Sequence, residues 1–493
     1  MRTLFLTTIL SLSLWGQAAA PAPAPPAREE PPVVKQQELT VGGRTLRYTS
    51  TTGMLPIRNA AGETEANIFF IAYTLDGVAD RSKRRLMFSF NGGPGSASVW
   101  LHLGALGPKR VKMNDDGSMP AAPYQLVPND STWLDETDLV FIDPVGTGYS
   151  RATKPDLARK FFGVQGDIES VGEFIRLYLT RYERWTSPLF LVGESYGTTR
   201  AAGLAGYLVE QGIALNGVCL VSTVLQFQTV RFGRANDTPY VLILPTFTAT
   251  AWYHKRLSAD LQKDLRKTLA EAEKFAITEY AEALNKGDKM TAAERKAVVD
   301  KIARYTGLDP KYVDQADLRI TTQAYMRELQ RDKNILVGRL DSRLTGPGLR
   351  AVTPTAEFDP SNTAIRPPYT ALFAQYVRTE LGYKTDAKYY VLGGGIGQWN
   401  WGVDNGYAET ADSLRQAFAK NPHMKLYVGS GYYDMATPYF AADYTLNHMG
   451  LPPQLRQNIR THEYEAGHMY YIHVPSLQKM KTDVASFLQW ATP

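Results

Sequence analysis

The chain has 493 residues, 44% of them hydrophobic, and a formal net charge of +5 from 54 basic against 49 acidic side chains. That suits one large domain with a full core and an insertion better than a string of modules. The small charge excess, with a single basic cluster at residues 81–85 best read as a solvated turn, gives no electrostatic footprint for nucleic acid, and the one cysteine, Cys219, excludes an intramolecular disulfide.

Met1 and Arg2 give a charged start, residues 3–15 are apolar and Ala18, Ala19 and Ala20 are small. This pattern predicts a secretory signal peptide over residues 1–19, too short to span a bilayer as a helix. Residues 20–36 begin as alternating Pro and Ala, which predicts a stiff extended linker. No lipid-attachment cysteine follows the cleavage region and no later apolar run is long enough to span, so no membrane span is expected. The expected destination is export, to a periplasm or the medium, and the absent disulfides favour a bacterium.

Residues 39–75 alternate as antiparallel strands around a Gly42-Gly43 turn. Strands of one further sheet are expected at 86–90, 139–142, 189–192, 217–221, 425–428 and 461–465. Cys219 falls in the fourth and reads as a buried free thiol. Between the fourth and fifth, apolar residues recur at Leu257, Leu261, Leu265 and Leu269 among charged ones, the period of an amphipathic helix. The stripe is expected to pack within its own lobe. The domain reading is therefore a core over 37–251, a helical cap over 252–347 and the rest of the core over 348–493.

The chemistry concentrates where Leu189-Phe190-Leu191-Val192 runs into Gly193-Glu194-Ser195-Tyr196-Gly197 and then a small-residue helix. A G-x-S-x-G turn between strand and helix predicts a nucleophile elbow, with glycines where a Cβ would collide and the serine hydroxyl exposed. A serine needs a base, itself oriented by an acid. Asp434 follows the 425–428 strand and His468 follows the 461–465 strand, so the order Ser, Asp, His is that of an α/β-hydrolase sheet. The backbone N–H groups of Gly93 and Tyr196 are the expected oxyanion donors, the first from the glycine-rich loop Asn91-Gly92-Gly93-Pro94-Gly95 after an early strand. His462-Glu463 lacks H-E-x-x-H spacing, and neither a metal nor a cofactor is expected.

Four segments together resemble the serine carboxypeptidases, the carboxypeptidase C and cathepsin A group: Asn91 to Gly95 with Ser96-Ala97-Ser98, the run Asp143-Pro144-Val145-Gly146-Thr147-Gly148-Tyr149-Ser150, the elbow, and Ala466-Gly467-His468. The resemblance implies an α/β-hydrolase fold, a mostly parallel central sheet with an inserted helical cap, acting on peptide substrates. It makes Ser195 nucleophile, Asp434 acid and His468 base, with Gly93 and Tyr196 at the oxyanion hole. It also gives Asn91, Gly92 and Glu194 the substrate's C-terminal carboxylate. The sequence departs from the family pattern at Ala105, where a second recognition glutamate is usual, at Ser96 in place of a disulfide cysteine, and at Asp143-Pro144, which lacks an intervening glutamine. Ala105 removes a proton-sharing partner for Glu194, so two readings stay open: a serine carboxypeptidase, and an esterase or acyltransferase using the same triad.

Overall fold

The computed structural model describes residues 29–493, so the expected signal peptide and residues 20–28 of the expected linker lie outside the described part. Strands β1 (Val33–Val41), β2 (Arg44–Arg58) and β3 (Thr64–Leu75) form an antiparallel meander. Gly42 and Gly43, at φ 54° and 77°, make the two-residue hairpin turn between the first two. The expected linker over 20–36 is corrected here. Its last residues already pair as strand, Val33 with Thr52 and Lys35 with Ser50, because a side chain of either polarity fits a strand with an exposed face.

The parallel part of the sheet comprises β4 (Leu86–Phe90), β5 (Asp138–Ile142), β6 (Leu189–Glu194), β7 (Gly217–Val221), β8 (Lys425–Gly431) and β9 (Ile459–Tyr464). The order across the sheet is β1-β2-β3-β5-β4-β6-β7-β8-β9, with β3 antiparallel to β5. Strands β4 to β7 are buried along their whole length, as near-continuous apolar runs covered on both faces must be. Alternate residues enter two separate cores: Met87, Phe190 and Val192 on one face, Leu86, Phe88 and Leu191 on the other.

Helices α1 (Val164–Arg181), α2 (Tyr196–Glu210) and α6 (Ala411–Lys420) cover the second face, through Phe174, Leu204 and Phe418 among others. Helices α5 (Pro360–Thr379) and α7 (Val474–Ala491) cover the first, through Phe373 and Phe487. None of the described helices is long and apolar enough to cross a membrane.

A third apolar cluster is built mostly by the segment inserted between β7 and β8, from Tyr240 to Val337, and takes in Met435 and Ala441 after β8. The boundary expected at residue 252 is corrected, since helix α3 (Thr238–Tyr253) runs across it and buries Tyr240, Leu242 and Phe247 in that cluster. α3 is apolar on nearly all sides, so it carries no helical period for a sequence to reveal. The leucine stripe is likewise not one helix. Asp264, with extended backbone, accepts from the Lys267 amide and starts a new helix, α4 (Leu265–Phe275), leaving Leu257 and Leu261 in the turn before it. Leu257, Leu261 and Leu269 are buried.

Candidate active site

Every predicted triad residue follows the C-terminal end of a parallel strand, where open α/β sheets place their sites. Ser195 lies between β6 and α2 at φ 60° and ψ −129°, a positive-φ conformation that costs a non-glycine residue roughly 1–3 kcal/mol. Its amide donates to the Val221 carbonyl at 2.9 Å, and its carbonyl accepts from Thr198 at 2.8 Å. These two bonds hold the turn. A Cβ at Gly193 would stand 2.1 Å from the Gly197 carbonyl oxygen, so the turn closes only with glycine there.

Asp434 has no solvent exposure and His468 only 4%. The Asp434 Oδ2 to His468 Nδ1 distance is 2.6 Å. Asp434 is itself fixed by the amides of Ala436 and Thr437 on Oδ1, at 2.7 and 3.0 Å, and by the Thr437 hydroxyl on Oδ2 at 2.6 Å. The His468 main chain is tied at both ends, its amide to the Leu340 carbonyl and its carbonyl to the Ser222 hydroxyl, both at 2.6 Å. Burial alone would depress the imidazole pKa, but the charge and hydrogen bond of Asp434 outweigh it and hold the pKa above its ordinary value. Nδ1 faces the acid, which leaves Nε2 for proton transfer.

Ser195 and His468 line one cavity of about 340 Å³, together with Asn91, Gly93, Glu194 and Tyr196. Gly92 lines it too, so seven of the eight predicted site residues meet there, and the eighth, Asp434, is buried behind His468 and hydrogen-bonded to it. Tyr196 is the first residue of α2, so its N–H has no partner within the helix, and the positive end of the helix dipole adds to its pull on an anion. A Cβ on Gly92 would sit 2.4 Å from that nitrogen, which shows how tightly the 91–95 loop lies against the helix start. The loop is pinned from behind. Asp143 Oδ1 accepts the Ser98 amide at 2.8 Å, and the Ser150 hydroxyl closes back on the Asp143 carbonyl at 2.5 Å.

Asn91 is fixed by its oxygens: Oδ1 accepts from the Leu101 amide at 3.1 Å and its carbonyl from Arg200 Nη1 at 2.6 Å. Its buried Nδ2 forms no hydrogen bond of good geometry among the described residues, but it lies beside the Glu194 carboxyl and helps hold its pKa down. Glu194 is 4% exposed, and burial pushes its pKa up to about 7 against the opposing influences of His468 and a hydrogen bond from Tyr471. Ala105 is fully buried in the apolar core beside this region.

Three contributors are not legible in the sequence. The Tyr471 hydroxyl donates to Glu194 Oε2, and its ring occupies the space left by Gly104, where a Cβ would lie 2.4 Å from ring carbon Cε2. Arg200, buried in α2, pairs with Asp167 at 2.8 Å while holding the Asn91 carbonyl. Thr437 braces Asp434, and its place three residues after Asp434 is the one available hint.

A nucleophile elbow, an Asp-His pair and a glycine-rich loop on this sheet define a serine hydrolase of the α/β-hydrolase fold. A family model, "Serine carboxypeptidase", matches residues 43–485, and the chain belongs to that family. The pheromone-processing carboxypeptidase kex1 of Aspergillus niger is 28% identical over 162 residues, which is 32% of this chain and 24% of that protein. KEX1 of Saccharomyces cerevisiae (strain JAY291) is 32% identical over 158 residues, 29% of this chain and 20% of that protein. The matched stretches thus span only a fifth to a quarter of these relatives' length. The crystal structure of Kex1(delta)p, a prohormone-processing carboxypeptidase from Saccharomyces cerevisiae, superimposes with a TM-score of 0.54 at 16% identity, covering 89% of this chain and 91% of that one. It shares the fold.

Proposed function

We propose that this protein is an exported bacterial serine carboxypeptidase that removes C-terminal residues from peptides through an acyl-enzyme intermediate. The observation that carries the reading is one cavity lined by two kinds of machinery: Ser195 and His468, the latter backed by Asp434, and beside them the Asn91 amide next to the buried Glu194 carboxyl, whose pKa is pushed up to about 7. A peptide ends in a carboxylate. Asn91 Nδ2 can donate to it, and Glu194 can share a proton with it, which removes the repulsion between two like charges at hydrogen-bond distance.

In this reading Ser195 Oγ attacks the carbonyl of the last peptide bond while His468 Nε2 takes its proton. The N–H groups of Gly93 and Tyr196 receive the oxyanion. His468 then returns the proton to the leaving amine, and water repeats the sequence on the acyl-enzyme. Export rests on the charge-apolar-small pattern of residues 1–20.

The test compares blocked dipeptides bearing a free or an amidated C-terminus with short-chain esters, for wild type and Ser195→Ala. Preference for the free acid, with all turnover and fluorophosphonate labelling lost in Ser195→Ala, supports the proposal. Equal cleavage of acid and amide with esters preferred would favour the esterase or acyltransferase reading. Fractionation of expressing cells, with the N-terminus of the mature protein sequenced, tests export.

A further inference from the structure

Two arginines line the cavity that holds Ser195, and the catalytic cycle uses neither. Arg231 follows the short Phe227–Thr229 helical turn and is exposed at the cavity mouth. Its guanidinium lies over the rings of Trp401 and Phe227, 5.0 and 5.5 Å from their centroids. Contacts of this kind occupy the flat face of the group and leave its N–H edge for an acceptor. Arg339 precedes Leu340, the residue whose carbonyl holds the His468 amide. Among the described residues, neither guanidinium has a carboxylate within 4.0 Å or donates a hydrogen bond. Nearby arginines behave differently: Arg319 holds Asp237 and Arg343 holds Asp341.

The two cations feel each other. The Arg231 pKa is shifted down by burial and then by the charge of Arg339, and Arg339 also opposes protonation of His468. Asp359, which also lines the cavity, already accepts on its Oδ1 from the amides of Arg339 and Ser361 and from the Ser361 hydroxyl. An anion entering from solvent would find two cations with unused donors.

The neighbours of Arg231 indicate which part of a substrate it meets. Asn91, Glu194 and Tyr471 mark the side that would take the leaving residue. Arg231 instead belongs with Val224, Phe227 and Trp401, which pack on the ring of Tyr196 in an apolar cluster separate from the one that holds Tyr471. We propose that Arg231 and Arg339 form an anion subsite on the acyl side of Ser195, selecting peptides whose penultimate residue is Asp or Glu. The peptide part of this rests on the carboxypeptidase reading, whereas selection of an acidic acyl group does not.

The experiment therefore has two arms. One compares blocked dipeptides with Glu, Gln or Lys in the penultimate position and a constant terminal residue. The other compares blocked Glu, Gln and Lys p-nitrophenyl esters, which deliver the same side chains to the acyl side in any serine hydrolase. Both read kcat/KM ratios, which do not depend on how much of a variant is folded. Glu should exceed Gln about five- to tenfold in wild type at low salt, with Lys poorest, and the ratio should shrink as salt is added because Arg231 is exposed. In Arg231→Gln/Arg339→Gln the Glu-to-Gln ratio should approach one, and Arg231→Glu should favour Lys over Glu.

A wild-type ratio of one or below overturns the proposal, as does a ratio kept in the double variant. A preference for acid at the terminal residue, and none at the penultimate one, overturns it too. Ester discrimination without cleavage of any dipeptide would retain the subsite and remove the carboxypeptidase reading.

Discussion

Tyr471 donates its hydroxyl to Oε2 of Glu194, and the two side chains are 1% and 4% exposed. This bond supplies Glu194 with a proton-bearing neighbour in a protein whose Ala105 cannot. A phenol differs from a second carboxylic acid in one chemical respect. Burial, and then the charge of Glu194, drive the Tyr471 pKa well above its ordinary value, so it stays a donor wherever the enzyme operates. Glu194 is then the titrating member of the pair.

Tyr471→Phe keeps the ring against Gly104 and removes only the donor. Loss of one hydrogen bond to a buried carboxyl costs about 1–2 kcal/mol. KM for a peptide acid should rise about five- to twentyfold with a smaller change in kcat, and hydrolysis of esters should be far less affected. Because the Tyr471 bond lowers the Glu194 pKa, the alkaline limit for peptide acids should also move to higher pH. Steady-state kinetics across pH on both substrate classes checks this. A uniform fall on both would show that Tyr471 supports the fold and not carboxylate recognition.

The pH profiles of acid and amide substrates should separate for a related reason. His468 must be neutral to act as base, and its raised pKa sets the acidic limit for every substrate. On the carboxypeptidase reading, a peptide acid additionally needs the proton on Glu194, which is lost above about pH 7. Selectivity for the acid over the amide should therefore be greatest below pH 7 and decline above it. In Glu194→Gln the selectivity should no longer change with pH. Parallel wild-type profiles would remove Glu194 from the recognition of the terminal carboxylate.

Groups at fixed points of the sheet were legible in the sequence, because a strand, a sharp turn and a helix leave local marks. Ser195 needs Gly193 and Gly197 beside it, and Asp434 and His468 each stand just past an apolar strand. The rest depends on contacts between distant segments. Tyr471 reaches Glu194 across 277 residues of chain and Arg200 reaches Asn91 across 109, so neither leaves a local pattern. The start of the insertion was hidden for a different reason: α3 is buried on nearly every side, so the alternation that marks a half-exposed helix is missing.

Arg200 should prove as sensitive as a catalytic residue while touching no substrate. It is 1% exposed, paired with Asp167, and it donates to the carbonyl of Asn91 in the 91–95 loop. Arg200→Leu leaves Asp167 buried without its cation, a change that costs about 3–5 kcal/mol in comparable sites. Denaturant unfolding should show the loss. In the surviving folded protein, kcat should fall more than KM rises, because the 91–95 loop is no longer held against α2. Arg200→Leu/Asp167→Leu should recover much of the stability without recovering kcat. Full recovery of both would reduce Arg200 to a packing residue.

Glu194→Gln should stabilise the protein while impairing it. The carboxyl has a folded-state pKa of about 7 against 4.5 when unperturbed, so the folded state holds its proton more tightly than the unfolded chain. The sign follows from proton linkage: stability from this group is fully present below pH 4.5 and is lost as pH rises through 7. Roughly 2.5 pKa units correspond to about 3 kcal/mol between those limits. A glutamine carries no such penalty, and its amide oxygen can still accept from Tyr471. Thermal unfolding should show little difference between Glu194→Gln and wild type near pH 4.5, and the largest gain for the variant at pH 8. Hydrolysis of peptide acids should fall at the same time. An equal shift in Tm at both pH values would mean that the carboxyl is not held protonated by its burial.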